Sequence, residues 1–112
     1  MYNQGDIVVV NFPFTDGSAF KKRPALIISN ATINKTGDYI LVQITSKINT
    51  DALSITIEDS DSLNPLPLNS FIRVHKIFTV HDSLILSKIT TAKSEFLKVV
   101  SHKIYGLIKV KG

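Results

Sequence analysis

The sequence predicts a mainly β fold: a small, strongly twisted antiparallel sheet carrying one amphipathic helix at its C-terminal end. Three observations point there. Short β-rich runs such as "IVVVNF" and "ALIIS" are bounded by Gly-Asp, Asp-Gly and proline signals. Apolar and polar residues alternate at period two through the middle of the chain. Only from Phe96 onward does the apolar spacing change to three- and four-residue steps.

The elements follow in order. Ile7 to Phe12 is the first strand, bounded by Gly5-Asp6 and Pro13. The loop "PFTDGSAFKK" is longer than a simple hairpin needs, which makes it a functional candidate. The second strand runs from Arg23 to Ser29. The third runs from Tyr39 to Thr45, entered through the turn Gly37-Asp38. The fourth, Leu53 to Ile57, alternates Leu53, Ile55 and Ile57 against Ser54 and Thr56. The loop "EDSDSLNPLPLN" holds two prolines and three acids, so it is no central strand. Strands five and six cover Phe71 to Val80 and Leu84 to Ile89. In the tail, Phe96, Val100, Ile104 and Leu107 share a stripe widened by Leu97 and Ile108. Thr91 is the expected N-cap, and Glu95 lies near the positive end of the helix dipole.

At 112 residues, one domain spanning 1–112 is expected. No apolar run reaches the roughly 18 residues of a membrane helix. The N-terminal "MYNQGDIVVV" has no charged leader and predicts no signal peptide. The absence of cysteine excludes disulfides and cysteine-ligated metal and permits a cytoplasmic location. A net charge of +4 is compatible with a nucleic-acid partner without requiring one. His75, His81 and His102 show no metal-ligand spacing, and Glu58, Asp59 and Asp61 lack the glycine of a calcium loop. No Gly-rich phosphate loop or nucleophile elbow occurs. No cofactor is expected.

Three segments carry candidate chemistry. Only two arginines stand among thirteen basic residues. One, Arg23, precedes Pro24, which biases it towards an extended backbone. Its planar fork matches phosphate oxygens in two places, where lysine offers a point charge. Lys21 and Lys22 add positive potential; the bland alternative is a solvated basic strand entry. In "QITSK", Tyr39, Leu41, Gln43 and Thr45 share one strand face and Ile40, Val42 and Ile44 the other. Thr45 and Ser46 put two hydroxyls at the strand end, to donate to phosphate or to cap the ladder locally. In "FIRVHKIFTV", Ile72, Val74 and Phe78 are expected to face the core, with Arg73 and His75 together on the opposite face. That pair is either a functional face or simply the exposed side of a half-buried strand.

Taken together, "GDIVVVNFPFTDGSAFKKRPALIIS", "QITSK" and "RVHKIFTVHDSLI" resemble, in order and spacing, the MazF/PemK toxins. The resemblance spans nearly the whole chain. It implies an SH3-like antiparallel β-barrel with a C-terminal helix, working as a homodimer. It also implies metal-independent, sequence-selective cleavage of single-stranded RNA. A cognate antitoxin would inhibit it, and operator DNA would be met only through the antitoxin complex. By similarity, Arg23 and Thr45 match the family's catalytic arginine and threonine, and Phe14 to Lys22 its mobile loop beside the RNA groove. His75 stands where an acid is common, and it is the side chain that titrates nearest neutrality. It is therefore the candidate proton carrier. Phe14, Thr15, Lys21, Lys22, Gln43, Ser46 and Arg73 are the candidate substrate contacts. Phe14 or Phe20 can stack a base or pack the loop onto the barrel. Apolar residues on the outer strand face (Leu41, Phe71, Ile77) add to the expectation of a dimer. The rivals are a gyrase-poison-like toxin on the same fold and a barrel that binds nucleic acid without cutting it. The absence of tryptophan and the ending "LIKVKG" argue against the first.

Overall fold

A computed structural model of the chain describes residues 1–13 and 20–112. Six strands form one antiparallel sheet: β1 (Asp6–Pro13), β2 (Phe20–Ile27), β3 (Asp38–Thr45), β4 (Ser54–Ile57), β5 (Ser70–His81) and β6 (Ile85–Thr91). The spatial order is β4-β5-β3-β2-β1-β6. A short turn of helix, α1 (Ala31–Asn34), precedes β3, and a long helix, α2 (Ser94–Ile108), ends the chain. The sheet curls so that its two edges meet. The segment after β4 bonds to the end of β6 through Leu63 N–H to Thr91 O (3.0 Å) and Lys93 N–H to Asp61 O (2.8 Å).

Consecutive strand residues go to opposite faces, and both faces are buried. Ile7, Leu26, Val42, Ile44, Ile72 and Val74 form one core under Phe96, Val100 and Ile104 of α2. Val8, Val10, Ala25, Ile27, Tyr39, Leu41, Val80 and Ile85 form a second. That is why β1 and β2 read as continuous apolar runs rather than as alternating ones. Gly5 (φ 93°) turns the chain into β1. There its N–H bonds Ile27 O and its carbonyl accepts Ala92 N–H, both at 2.8 Å. A side chain would strain that left-handed backbone.

Several expectations are corrected. The first hairpin extends further than its sequence suggests, with Asn11–Lys22, Phe12–Lys21 and Pro13–Phe20 paired. Phe20, Lys21 and Lys22 are therefore strand residues rather than loop. At its other end β2 stops at Ile27, and the Ser29 hydroxyl turns inward to donate to the Asn34 side chain. Asn30 caps α1 by accepting from Thr32 N–H at 3.0 Å. Thr91 does not cap α2: it ends β6, its hydroxyl donating to Asp6 at 3.0 Å, and Lys93 takes the cap position without a side-chain bond. Leu107 and Ile108 are exposed because the last turn of α2 overhangs the core. Leu41 is buried in the second core rather than offered to a partner, whereas Ile77 is exposed.

The largest correction lies in β5. Gln43 pairs with Arg73 but the adjacent Val42 pairs with Ile77, so a bulge holds residues 74–76. The extra residues invert the alternation. Ile72 and Val74 face the first core, while Phe78 packs against the second, edge-on to Phe12 at 4.8 Å between ring centroids.

Candidate active site

The β2–β3 ladder ends at Ala25–Gln43. The next residue of β2 is Pro24, which has no N–H to extend the ladder. Carried two steps further, the register would set Arg23 opposite Thr45. The two strands part there instead and leave a cleft of about 200 Å³. Among the described residues, Lys22, Arg23, Thr45 and Ser46 line its polar side, and Leu66, Pro67, Leu68 and Ile89 supply apolar walls. Arg23 is half-buried, and its backbone is fixed on the far side by pairing with Val10 of β1. Among the described residues it has no carboxylate partner. A planar cation on a stiff base, facing a small cleft, can accept a phosphate in two places.

Thr45 ends β3, and its hydroxyl oxygen accepts the Lys47 N–H at 3.1 Å. That bond uses a lone pair and leaves the hydroxyl proton for another acceptor. The capping role and the donor role are therefore compatible in one side chain.

A second recess of about 230 Å³ shares Thr45 with the cleft and is lined by Gln43, Lys47, Asn49, Arg73 and Lys76. Arg73 is already engaged here. Its Nη1 and Nη2 donate to both carboxylate oxygens of Asp51, at 2.8 and 3.1 Å, and Nη1 also donates to Ser54 Oγ at 2.8 Å. The guanidinium bond is the main reason the Asp51 carboxyl is held below its usual range; a bond from Leu53 N–H and the nearby charge of His75 act in the same direction. Arg73 is raised in turn, chiefly by its bond to Asp51.

The structure thus brings Arg23, Thr45, Lys22 and Ser46 together, with Gln43 and Arg73 in the adjoining recess. Lys21 is exposed on the hairpin beside them. His75 is not among the described residues lining the cleft: it is exposed in the β5 bulge, near Asp51. Phe14 and Thr15 lie outside the described residues. The sequence reading missed the Leu66-Pro67-Leu68 wall, whose one signal was an apolar tripeptide inside a loop rich in acids, serine and asparagine. Among the described residues, no three His, Asp or Glu side chains gather as a metal-ligand group, and no helix is long and apolar enough to cross a membrane.

Comparison with known proteins bears on the family and the fold. The family described as PemK-like, MazF-like toxin of type II toxin-antitoxin system matches residues 3–108. A mycobacterial endoribonuclease solved with its cognate antitoxin has a similar fold, with a TM-score of 0.80 at 16% identity, covering 100% of this chain and 99% of that one. The Deinococcus radiodurans MazE–MazF complex (Form-III) gives 0.80 at 20% identity, covering 98% of each chain. MazF alone from the same organism (Form-I) gives 0.77 at 22% identity, covering 97% of each. No curated protein matches.

Proposed function

Because the chain belongs to the family of PemK-like, MazF-like toxins of type II toxin–antitoxin systems, we propose that it is an endoribonuclease that cuts single-stranded RNA. The observation that carries this reading is the meeting of Arg23 and Thr45 at the parted end of β2 and β3. RNA supplies its own nucleophile. The 2′-hydroxyl loses its proton to water as its oxygen attacks the adjacent phosphorus, the bond to the 5′-oxygen of the next nucleotide breaks, and that oxygen takes a proton from water, leaving a 2′,3′-cyclic phosphate and a free 5′-hydroxyl. The protein must orient the phosphate and stabilise the charge that grows on its oxygens. Arg23 suits the second task, since it stays protonated and binds bidentately. Thr45 donates its hydroxyl proton to the same phosphate, and Lys22 raises the local positive potential. The apolar wall of Leu66 and Leu68 offers a surface against which an unpaired base can lie. His75, outside the cleft, has no part in this reading.

The antitoxin complexes of the structural neighbours support a cognate antitoxin as the natural inhibitor. A homodimer accords with the apolar residues that α2 leaves in water, among them Val99, Tyr105 and Ile108. Incubating the purified protein with a labelled single-stranded RNA, a duplex of the same sequence and its DNA counterpart, all in chelator, tests the reading. Cutting of the single-stranded RNA alone is expected. Binding without cutting would make the chain a binding module instead.

A further inference from the structure

We propose that Asp51 and Arg73 form a strap that positions Thr45 for RNA cleavage, so that Arg73 is a positioning residue rather than a substrate contact. The inference rests on the endoribonuclease reading above. It starts from the segment 46–53, which joins β3 to β4 and leaves the strand at Thr45 itself. Eight residues joining the two strands that flank β5 can take many paths, and the path taken sets how Lys47 N–H meets the Thr45 hydroxyl.

Two sets of local bonds hold the two halves of the segment, which the backbone through Thr50 joins. Lys47 N–H donates to Thr45 Oγ1 at 3.1 Å, and the Asn49 side chain donates to Lys47 O at 3.1 Å. Asp51 accepts Leu53 N–H at 3.0 Å, which folds the far end of the segment back on itself. The Arg73 fork then holds both carboxylate oxygens of Asp51. Arg73 is an anchor of unusual stiffness. It pairs with Gln43 of β3 on one side and Ser54 of β4 on the other, so it sits on the strand between them. Its side chain is only 11% exposed, and its extra bond to Ser54 Oγ locks the guanidinium plane. The fork is bidentate and Arg73 is largely covered while Asp51 is 47% exposed; two parallel bonds hold such a pair closer to one geometry than a single-contact surface pair. Lys47 and Asn49 of the segment line one side of the open recess between Thr45 and Arg73.

Two substitutions separate the strap from the alternative, in which Arg73 grips the RNA and Asp51 merely neutralises it. Asp51→Asn and Arg73→Gln each break the strap from one end. Cleavage is followed under single turnover, and affinity is measured with a 2′-O-methyl copy of an RNA that the wild type cuts. A strap predicts losses of the same sign: about tenfold in rate for each variant, well within the cost of an ångström-scale misplacement, with affinity within about twofold. The double variant is expected to be no more than about twofold slower than the worse single, because the pair acts as one unit. Exchange of the Lys47 amide with deuterium, which reads the Thr45–Lys47 bond, is expected to quicken at least about fivefold in Arg73→Gln. Opposite signs, with Asp51→Asn binding RNA more tightly and Arg73→Gln more weakly, would overturn the strap, as would additive losses or single variants at wild-type rate. If Arg73→Gln does not fold, Asp51→Asn alone decides by the direction of its effect on rate and affinity. If the wild type cuts no RNA, the endoribonuclease reading fails, and the Lys47 exchange then decides the strap by itself.

Discussion

Replacing Arg23 with lysine keeps the charge and removes the fork, and it is the substitution that most cleanly isolates geometry from electrostatics. Arg23 belongs to neither core and has no ion pair among the described residues. Its backbone stays paired with Val10 whatever side chain it carries. Stability is therefore expected to change by no more than about 0.5 kcal/mol, or a Tm shift of about 3 °C for a chain of this size. The cost in rate follows from the number of contacts. The guanidinium can meet two phosphate oxygens at once, whereas an ammonium reaching into the same cleft from a flexible stem meets one at a time. Losing one charge-assisted donor to the transition state costs about 2.7 kcal/mol or more, which is about a hundredfold in rate. Ground-state affinity for RNA is expected to hold within about threefold, since the charge is kept. The assay is single-turnover cleavage of a fluorescent RNA, with Tm and binding measured on the same preparations. A lysine variant within about threefold of the wild-type rate would refute the bidentate role and leave Arg23 as a charge only. A Tm loss of more than about 8 °C would show that Arg23 holds the fold instead.

Three further outcomes are expected. His75→Ala keeps the wild-type pH–rate profile between about pH 5 and 8 and stays within about tenfold in rate, short of a general acid–base contribution; a lost limb of the profile would restore His75 as proton carrier. Folding lowers the Asp51 pKa, chiefly through Arg73, so the pair stabilises the fold above the unfolded carboxyl's pKa and is lost as pH falls through the folded one. The Tm of wild type is accordingly expected to exceed that of Asp51→Asn at pH 7, with the gap closing as pH falls through the folded carboxyl's pKa; a gap that persists once both carboxyl states are protonated would mean that the charge of Asp51 is irrelevant. Light scattering is expected to give a mass of about 25 kDa, twice the 12.4 kDa of one chain; the mass of one chain at tens of micromolar, taken as roughly the level at which a micromolar dimer persists, would exclude the dimer.

Much of this architecture is legible in the sequence for a simple reason: a strand's faces follow from parity. Val42 and Ile44 separate from Leu41 and Gln43 by alternation alone, and the structure keeps that division. The same rule fails beyond Val74, because a bulge between β3 and β5 inverts the parity and sends Phe78 to the other core. A bulge is a property of two strands' register, and neither strand carries it alone. Thr91 reads as a helix cap because a threonine before an amphipathic stretch is a local signal; its tie to Asp6, 85 residues away, overrides it. Within the candidate site, Arg23 stood out through the proline beside it, and Thr45 through its place at a strand end. The Asp51–Arg73 pair had no such mark. Its partners lie 22 residues apart, on a loop and on a strand that is not the next in sequence. The wall from Leu66 to Leu68 was hidden in the same way, in a loop whose prolines and acids say only what it is not.

The central claim is that Arg23 and Thr45 hold a phosphate while the RNA's own 2′-hydroxyl attacks it. The most direct measurement uses two oligonucleotides that differ in one atom. One is an RNA the protein cuts; the other carries a 2′-hydrogen at the cleaved nucleotide alone. In chelator, the first is expected to yield a 2′,3′-cyclic phosphate and a free 5′-hydroxyl, and the second to bind but stay whole. Cleavage of the 2′-deoxy oligonucleotide, or products ending in a 5′-phosphate, would contradict the claim.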